Sequence, residues 1–424
     1  MTSTDLTLPR GIRDIEPEEW ERHSRVRDAF ERVARTYNFK VMEPASLEHL
    51  STLRAKSGEN IDKEIYSFKD KGGREIALRF DLTVGITRYV CSRKDLRLPA
   101  KLAAFGGMWR YDEPQYGRFR WAHQWDLEVF GPPSVDADAE VIDASAAILK
   151  RAGVGPTKVR VGDRRVVEDF IRTRAGVRDG EKVAELMRAL DKVDKKTRKE
   201  LAEEYRGKGF SDEEFNSVME LGELAGEPDK VLRKADEMKL SSTGELKSLR
   251  DGLKSRGVDN IEFNMSIVRG IDYYTGIVFE GVDERRPRLG SLFGGGRYDA
   301  LPKMFGRPEL SATGAAGGVE RESMSIGETF SANRLKAFVA SPSEETYPHA
   351  VRILAGLRMA GVSSDASPRG RSLSKQLEDA SVSGATWVLI IGSREVEKGL
   401  VTLRNLGERS EEQVTFEEAI RRIG

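Results

Sequence analysis

Apolar residues recur at helical spacing near the beginning of the chain. Pro17 is followed by two glutamates, which is typical of a helix start. The apolar positions behind it lie three or four residues apart: Val26, Phe30, Val33 and Tyr37. Residues 39–44 then predict an extended segment. The chain is therefore expected to begin with an amphipathic helix that leads into a strand.

Alternation of apolar and polar residues predicts a half-buried strand from Glu75 to Asp81. On such a strand Arg79 and Asp81 share one face, and Thr83 joins them if the strand continues. A carboxylate and a hydroxyl placed together suit an ammonium group. The same pattern is also typical of the polar face of an ordinary edge strand, and the residues alone favour that interpretation.

Two longer runs, 102–111 and 118–130, predict an antiparallel hairpin around the turn-rich segment 113–117. One strand carries Arg110 and Asp112 on a single face. The other carries Gln124, Asp126 and Glu128 on one face and Trp125, Leu127 and Val129 on the other. Arg118 and Arg120, near the turn, carry guanidinium groups that suit phosphate. The pattern predicts either a polar pocket built on rigid strands or a hairpin with one solvated face.

The character of the chain changes at about residue 164. From there to about 256 it is rich in charged residues with spaced Leu, Val and Met, which predicts surface helices. Strands are predicted again at 260–269 and 277–282. From about 335 strands and helices alternate, with strands at 337–340 and 387–391 and helices at 348–360 and 373–380. Such alternation is typical of a small α/β domain.

The fold class that follows is α+β. We predict one antiparallel-sheet domain (1–163 and 257–330), a helical insertion within it (164–256), and a C-terminal α/β domain (331–424).

Composition excludes several classes of protein. The chain has 70 basic and 70 acidic residues, and zero net charge argues against a protein coated in nucleic acid while leaving room for one basic face. Cys91 is the only cysteine, so a single chain forms neither a disulfide nor a cysteine-based metal site, which fits a reducing compartment. The N-terminus lacks the apolar core of a signal peptide, and no apolar run is long enough to span a bilayer. We expect a cytoplasmic protein with no membrane partner.

Histidines are few, and motifs for several common activities are missing. The four histidines are His23, His49, His123 and His349. A histidine metal site or a hydrolytic triad is not expected from so few, so we predict no protein-bound metal and a structural role for His123. The chain has no GxxxxGK[ST] phosphate loop, no HExxH, no CxxC and no GxGxxG after a strand.

Glycine and tyrosine clusters mark three further segments. RGIDYYTG (269–276) combines flexible ends with Tyr273 and Tyr274, which offer ring faces and hydroxyls. GGGRYD (294–299) and GAAGGVER (314–321) let a backbone approach a flat ligand, and Arg321 follows as a partner for phosphate or a ring. Tyrosine pairs are also common in cores, and glycine clusters also mark turns.

Together these segments resemble the histidyl branch of the class II aminoacyl-tRNA synthetases. LPRGIRDIEP (8–17) resembles the N-terminus of that family, and the helix before Pro44 resembles motif 1, whose proline lies at a dimer interface. WRYDEPQYGRFRWAHQ (109–124) is similar to motif 2, RGIDYYTG to a histidine-binding signature, and GAAGGVER to motif 3. The resemblance covers essentially the whole chain.

The resemblance implies a class II antiparallel-sheet catalytic domain with a helical insertion, followed by an α/β anticodon-binding domain. It implies a homodimeric ligase that activates L-histidine with ATP and Mg²⁺ and loads it onto tRNA(His). No protein nucleophile is needed, because the adenylate phosphate accepts the proton in the transfer step.

Residue roles follow by matching motif positions. Histidine-binding positions are Asp81, Thr83, Arg110, Gln124, Glu128, Arg269, Tyr273 and Tyr274. ATP-binding positions are Arg110, Asp112, Arg118, Phe119 and Arg321, and the resemblance gives Arg110 and Arg269 the catalytic role at the α-phosphate. Positions facing tRNA are Gln115 and Arg120, with Arg369, Arg371 and Lys375 in the C-terminal domain.

The chain departs from the family pattern at two places. Asp81 stands where many bacterial members have glutamate, which resembles the archaeal and eukaryotic pattern. Glu322 and Ser323 follow Arg321, where an apolar residue is more usual, and we expect looser packing behind the nucleotide.

Three other kinds of protein share some of these features. A synthetase-like regulatory subunit of ATP phosphoribosyltransferase typically loses the catalytic arginines, RGIDYYTG and the C-terminal domain, all of which this chain keeps. A prolyl or threonyl synthetase is disfavoured by Tyr273–Tyr274 and by the lack of zinc ligands. A plain nucleotide-binding or interaction protein would need the whole motif set to be coincidence.

Overall fold

The computed structural model describes residues 6–57, 59–111, 113, 116–193, 196–268, 273–327 and 335–424. The chain divides into two compact units, Met1–Gly327 and Glu328–Gly424.

The first unit combines helices with a large sheet and a small one. Its helices are α1 (Pro17–Thr36), α2 (Leu50–Ser57), α3 (Thr83–Ser92), α4 (Val135–Ala152), α5 (Arg164–Thr173), α6 (Gly180–Leu190), α7 (Arg198–Gly207), α8 (Asp212–Gly222), α9 (Pro228–Glu237), α10 (Gly244–Ser255), α11 (Ala300–Met304) and α12 (Val319–Ser325). Its strands are β1 (Lys40–Val41), β2 (Leu47–His49), β3 (Ser67–Lys69), β4 (Glu75–Leu78), β5 (Ala100–Trp109), β6 (Trp121–Gly131), β7 (Lys158–Asp163), β8 (Ala225–Gly226), β9 (Ile261–Asn264), β10 (Ile277–Val282), β11 (Ser291–Arg297) and β12 (Ser311–Gly318).

The large sheet runs in the order β1-β5-β6-β12-β11-β10-β7-β9-β8. Its central strands are antiparallel, whereas β1 pairs with β5 and β7 pairs with β9 in parallel. The predicted hairpin is confirmed as β5 and β6, in which Gly106 lies opposite Gln124. The mainly antiparallel sheet confirms the predicted fold class.

Helix α1 covers one face of this sheet, because its apolar stripe has no other way to leave water. Phe30 is fully buried, and its ring lies 5.8 Å from that of Phe105 and 6.4 Å from that of Trp125. Burial of each such side chain contributes roughly 1.5–3 kcal/mol. Since Trp125 occupies the helix-covered face, alternation turns Gln124 toward the opposite face of the sheet. That opposite face is where the polar side chains converge.

The strand predicted from Glu75 to Asp81 is wrong in its second half. β4 ends at Leu78, and Thr83 is the first residue of α3. The buried guanidinium of Arg79 donates to Gly107 O at 2.8 Å and Pro44 O at 2.6 Å, in space that a Cβ on Gly106 would fill. The Asp81 carboxylate accepts from Val84 N at 3.1 Å, which starts the helix instead of prolonging the strand.

Helices α5 to α10 occupy the segment between β7 and β9, as the charge pattern predicts. Thr197 and Ser211 begin α7 and α8 with complete capping boxes, which satisfy the first free N–H groups. A short strand in this segment, β8, pairs with β9. The division of the first unit into a catalytic domain and an insertion domain stays a prediction.

The second unit is a five-stranded sheet, counted over its described residues, with helices around it. Its elements are β13 (Ala337–Ala340), α13 (Tyr347–Met359), β14 (Ser364–Ala366), α14 (Leu373–Val382), β15 (Trp387–Ile390), α15 (Ser393–Lys398), β16 (Val401–Asn405), β17 (Ser410–Val414) and α16 (Phe416–Ile423). β14, β13 and β15 are parallel, and β16 and β17 follow antiparallel. Val388 and Leu389 on β15 belong to different apolar clusters, so both faces of the sheet are covered. The predicted α/β character is confirmed. Across the described part of the chain, no helix is both long and apolar enough to cross a bilayer.

Candidate active site

Two adjoining cavities open on the polar face of β5 and β6. The smaller has a volume of about 270 Å³ and the larger about 980 Å³. Both are lined by Arg110, Gln124, Tyr273, Tyr274 and Gly294. Ligands bound in the two cavities would therefore both contact these side chains.

The smaller cavity, called the recess below, is acidic and phenolic. Seven of the predicted histidine-binding positions line it: Asp81, Thr83, Arg110, Gln124, Glu128, Tyr273 and Tyr274. These residues come from separate parts of the chain: the start of α3, the end of β5, strand β6 and the segment before β10. Side chains that converge in this way form a single binding pocket. The predicted pocket on rigid strands thus describes the hairpin better than a solvated face does.

A chain of hydrogen bonds fixes the wall that the two cavities share. Arg110 Nε donates to Phe80 O at 2.8 Å, and Arg110 Nη2 donates to Gln124 Oε1 at 3.1 Å. Gln124 Nε2 donates to Asp126 Oδ1 at 2.7 Å, and Thr83 Oγ1 donates to Asp126 Oδ2 at 2.8 Å. Asp126 is fully buried, so it positions Gln124 and Thr83 from behind the recess. The guanidinium is held in one orientation before any ligand arrives.

Glu128 lies at the inner end of the recess and is joined there by a residue that sequence reasoning missed. The hydroxyl of Tyr298 donates a hydrogen bond to Glu128 Oε2. Burial, and then the charge of Glu128, raise the pKa of Tyr298 well above its usual value, so the phenol keeps its proton. Tyr298 belongs to GGGRYD, a segment that stands out for its glycines; the tyrosine within it is the signal that could have found it.

Tyr273 and Tyr274 form the remaining wall of the recess. Their rings lie 4.2 Å apart between centroids, and that of Tyr273 lies 6.0 Å from that of Tyr298. Burial is the main cause that raises the pKa of Tyr273, and nearby Asp81 and Glu128 add to it. The phenol hydroxyls can donate hydrogen bonds and the carboxylates can accept them. The recess therefore suits a ligand that has both a hydrogen-bond donor and an acceptor.

The larger cavity carries the guanidinium groups. Arg118, which is exposed, and Arg321 line it with Phe119. Arg321 Nη1 donates to Ser291 O at 3.0 Å, and its Nε lies 3.4 Å from Gly117 O. Gly117 has φ +71, a conformation that favours glycine, and it brings the backbone before Arg118 against Arg321. The same cavity is also lined by five carboxylates: Asp191, Glu280, Asp283, Glu284 and Glu320. Guanidinium groups together with carboxylates suit a polyphosphate that carries a divalent cation.

Comparison with known proteins agrees with this arrangement. A family model described as histidyl-tRNA synthetase matches residues 11–321, and one described as anticodon binding domain matches residues 336–424. The chain belongs to the histidyl-tRNA synthetase family. It is thus an aminoacyl-tRNA synthetase, a ligase.

Individual relatives of this synthetase span its full length. It is 35% identical to the histidine–tRNA ligase of Pyrococcus abyssi over 98% of this chain and 97% of that protein. The crystal structure of histidyl-tRNA synthetase from Nostoc sp. PCC 7120 superposes with a TM-score of 0.86 at 25% identity, over 99% of this chain and 100% of that one. An ATP phosphoribosyltransferase regulatory subunit/histidyl-tRNA synthetase from Bacillus halodurans gives a TM-score of 0.76 at 25% identity, over 92% and 100%.

Some predicted positions of the synthetase lie outside the described residues or away from a surface. Asp112, Gln115 and Arg269 are not among the described residues. Arg120, expected to face tRNA, is buried: its Nη1 donates to Arg10 O at 3.1 Å, and its guanidinium stacks 3.9 Å from the ring of Tyr111. In this structure Arg120 holds the N-terminal segment onto the hairpin.

The acidic residue after Arg321 has a structural explanation. Glu322 is fully buried and accepts from Trp125 Nε1 at 2.9 and 3.0 Å. Burial raises the pKa of its carboxyl group well above the usual value. This bond attaches α12 to the helix-covered face of β6. The hydroxyl of Ser323 is also buried and has no hydrogen-bond partner among the described residues, so looser packing behind the nucleotide stays a prediction.

Gly314 gives the first prediction for the synthetase. It pairs with Glu128 across β12 and β6, and a Cβ there would overlap the Glu128 carboxylate. We expect Gly314→Ala to displace Glu128 and to lower the kcat/KM for histidine about 100-fold, since misplacement by about 1 Å costs that much. ATP–pyrophosphate exchange measures the loss, and circular dichroism checks the fold. Gly180→Ala is the control, because a Cβ there meets nothing within 4 Å. An unchanged histidine dependence would show that Glu128 is not confined as described.

Proposed function

We propose that the chain activates histidine with ATP to histidyl-adenylate and then transfers histidine to the 3′ end of tRNA(His). The recess binds histidine and the larger cavity binds ATP. The observation that carries this assignment is the shared wall. Arg110 and Gln124 border both cavities, so the histidine carboxylate and the α-phosphate meet at one fixed guanidinium.

The acidic and phenolic lining of the recess suits an imidazole. Glu128 accepts a hydrogen bond from one ring N–H. A phenol hydroxyl of the Tyr273–Tyr274 pair donates a hydrogen bond to the other ring nitrogen. Asp81 and Thr83, at the start of α3, meet the ammonium group, while Gln124 meets the carboxylate. A site that leaves its own buried polar groups unpaired rejects an analogue by roughly 10⁴-fold, so no editing step is needed.

Activation joins two negatively charged groups, and this explains the arginines. The histidine carboxylate attacks the α-phosphorus as pyrophosphate leaves, so catalysis consists of alignment and charge neutralisation. Arg110 grips both reacting groups, Arg118 holds the outer phosphates, and Arg321 lies over the adenine with Phe119 on its other face. By resemblance, Asp112 lies near the adenine amino group and Arg269 adds charge at the α-phosphate.

Phe119 also has a partner outside the larger cavity. The guanidinium of Arg13 stacks over its ring at 3.9 Å, and Arg13 lines a separate cavity together with Glu19. Arg13 therefore supports Phe119 from outside the proposed ATP site.

Mg²⁺ is proposed to accompany ATP. It is usually bound through one or two carboxylates together with substrate phosphates. Glu280 on β10 lines the larger cavity and supplies such an oxygen ligand, so the donor set fits the ion. Bound there, Mg²⁺ would offset the charge of the leaving pyrophosphate.

The second unit is proposed to bind the anticodon, and its basic segment gives the second prediction. Arg369 stacks over the ring of Tyr347 at 4.7 Å, Arg371 Nη2 donates to Asp379 Oδ1 at 2.8 Å, and Lys375 lies in the first turn of α14. All three are exposed. Replacing the three with alanine should weaken tRNA binding and reduce its salt dependence by about one unit of slope for each phosphate group that the variant no longer binds.

Filter binding at several salt concentrations measures this slope. The matched control replaces three other exposed basic residues of the same unit, Arg394, Lys398 and Arg421. Equal losses in both triple variants would place the anticodon elsewhere, while pyrophosphate exchange should be unaffected in either.

We also propose that the enzyme is a cytoplasmic homodimer. Support comes from the motif 1 resemblance and from the exposed apolar side chains of Val41 and Leu47 near Pro44. The buried thiol of Cys91, whose pKa burial raises to about 11, is compatible with a reducing compartment. Light scattering should give twice the chain mass of 47.4 kDa, and a monomer mass at micromolar concentration would contradict the dimer.

The decisive experiment is ATP–pyrophosphate exchange screened over all twenty amino acids, followed by charging of tRNA(His). Histidine alone should support exchange. Exchange with none of the amino acids would instead favour a regulatory subunit like that of ATP phosphoribosyltransferase, and exchange with proline or threonine would favour another class II enzyme.

A further inference from the structure

Three residues distant in sequence meet behind the hairpin, away from the recess. His23 lies on α1, His123 on β6 and Glu320 on α12, and their potential ligand atoms all lie within 4.8 Å of one another. His23 and Glu320 are 2% and 3% exposed. The two imidazole rings lie 5.6 Å apart at an interplanar angle of 79°. The arrangement combines two imidazoles and one carboxylate, and 13% of the His123 side chain is exposed.

The buried ring nitrogens of this cluster lack good hydrogen bonds. Among the described residues, both nitrogens of His23 and Nδ1 of His123 have no hydrogen-bond partner. The nearest carboxylate oxygens are Glu19 Oε1, 3.4 Å from His23 Nε2, and Glu320 Oε1, 3.7 Å from His123 Nδ1. These distances are long for hydrogen bonds. Buried polar atoms are nearly always satisfied, so the cluster calls for a further partner.

We propose that His23, His123 and Glu320 bind a divalent transition metal ion of the zinc class. Imidazole nitrogens and one carboxylate are the ligand types that zinc prefers, and they bind it at about 2.0–2.2 Å. Ligands at those distances lie about 3.4 Å apart in a tetrahedron. The three ligand atoms now lie up to 4.8 Å apart, so binding would shorten these separations by up to about 1.4 Å. Glu19 Oε1 lies 3.4 Å from His23 Nε2, but both oxygens of that carboxylate accept from Arg13, so the fourth position is left to water.

The surrounding charges favour a cation. The charged groups that face the histidines are Glu19, Glu320 and Arg13. Two carboxylates and one guanidinium leave a net negative charge when the imidazoles are neutral. The rings of Trp20, Phe105 and Trp121 lie 5.2–6.0 Å from that of His123 and shield the site from water.

Such an ion would tie together three elements that support the active site. His123 immediately precedes Gln124, and Glu320 immediately precedes Arg321. Glu320 Oε1 already accepts from the backbone N–H of His123 at 2.8 Å, so β6 and α12 are joined at this point. The ion would stabilise both walls, and through Glu320 it would adjoin the larger cavity, which that residue also lines. The proposal departs from the prediction of no protein-bound metal, which the small number of histidines gave, and it does not depend on the proposed function.

The test uses the full-length protein, stripped with a chelator and titrated with Co²⁺ and then Zn²⁺. We expect one ion per chain, a Co²⁺ absorption spectrum of tetrahedral nitrogen and oxygen coordination, and a higher midpoint of thermal unfolding with Zn²⁺. His123→Gln and Glu320→Gln should each weaken Zn²⁺ binding on the order of 100-fold or more, because even outer-shell changes cost 10–100-fold. His49→Gln, at an exposed position on β2, should bind as the parent does.

If a variant fails to fold, the Co²⁺ and Zn²⁺ measurements on the parent protein alone test the proposal. Co²⁺ spectra without tetrahedral bands, or no ion retained at micromolar Zn²⁺, would overturn the proposal. Equal Zn²⁺ affinity in His123→Gln, Glu320→Gln and His49→Gln would also overturn it, since the ion would then be bound elsewhere on the surface.

Discussion

Glu128→Ala is expected to reduce kcat/KM for histidine by about 10³–10⁴-fold in pyrophosphate exchange, while the KM for ATP changes little. Glu128 is 1% exposed at the inner end of the recess, and Tyr298 orients its carboxylate. The alanine variant leaves the imidazole N–H without an acceptor in a place that water enters poorly. Unpaired polar groups in a buried site cause losses of this size. The expected reduction corresponds to about 4–5.5 kcal/mol of transition-state stabilisation.

Two further variants separate recognition from packing. Glu128→Gln keeps the shape and one acceptor oxygen, so it should recover part of the loss. Glu322→Gln removes a buried carboxyl group from α12, behind β6, where Glu322 accepts from Trp125, and it should retain histidine dependence close to that of the parent. If Glu128→Ala kept the histidine dependence of the parent, the imidazole would have to bind elsewhere.

The hairpin was predictable because its signal is local. Side chains on a strand alternate between faces, so Gln124 and Glu128 could be assigned to one face and Trp125 to the other from the sequence alone. The same reasoning failed after Leu78, because the carboxylate of Asp81 accepts from Val84 N and starts a helix. Alternation of apolar and polar residues predicts a strand. It does not predict the residue at which a side-chain hydrogen bond to the backbone ends that strand.

Contacts between distant segments were beyond the sequence. Tyr298 and Glu128 are 170 positions apart in the sequence. No local pattern around either residue predicts their contact. Asp126 was assigned to the polar face without a role, because its partner Thr83 lies on another element. The resemblance supplied residue roles in the recess, since motif positions carry long-range information that periodicity lacks. It did not supply the environment of Arg120, whose burial depends on how the N-terminal segment folds back onto the hairpin.

Arg110→Ala is expected to lower kcat for adenylate formation about 10²–10³-fold, the usual effect of removing one preorganised donor to a developing charge. Arg110 borders both cavities, so the KM values for histidine and ATP should rise together, in contrast to Glu128→Ala. Arg110→Lys keeps the charge but loses the fork that now donates to Phe80 O and Gln124 Oε1, and it should recover little of the rate.

A matched control for Arg110 is an exposed arginine of the same unit that lines neither cavity. Arg74 meets this description, with its ion pair to Asp70 at 2.7 Å, and Arg74→Ala should leave exchange kinetics unchanged. Single-turnover adenylate formation, followed by rapid quench, measures the chemical step without product release. Full activity in Arg110→Ala would mean that the histidine carboxylate and the α-phosphate do not meet at this guanidinium. The shared wall would then separate two sites instead of joining two reactants.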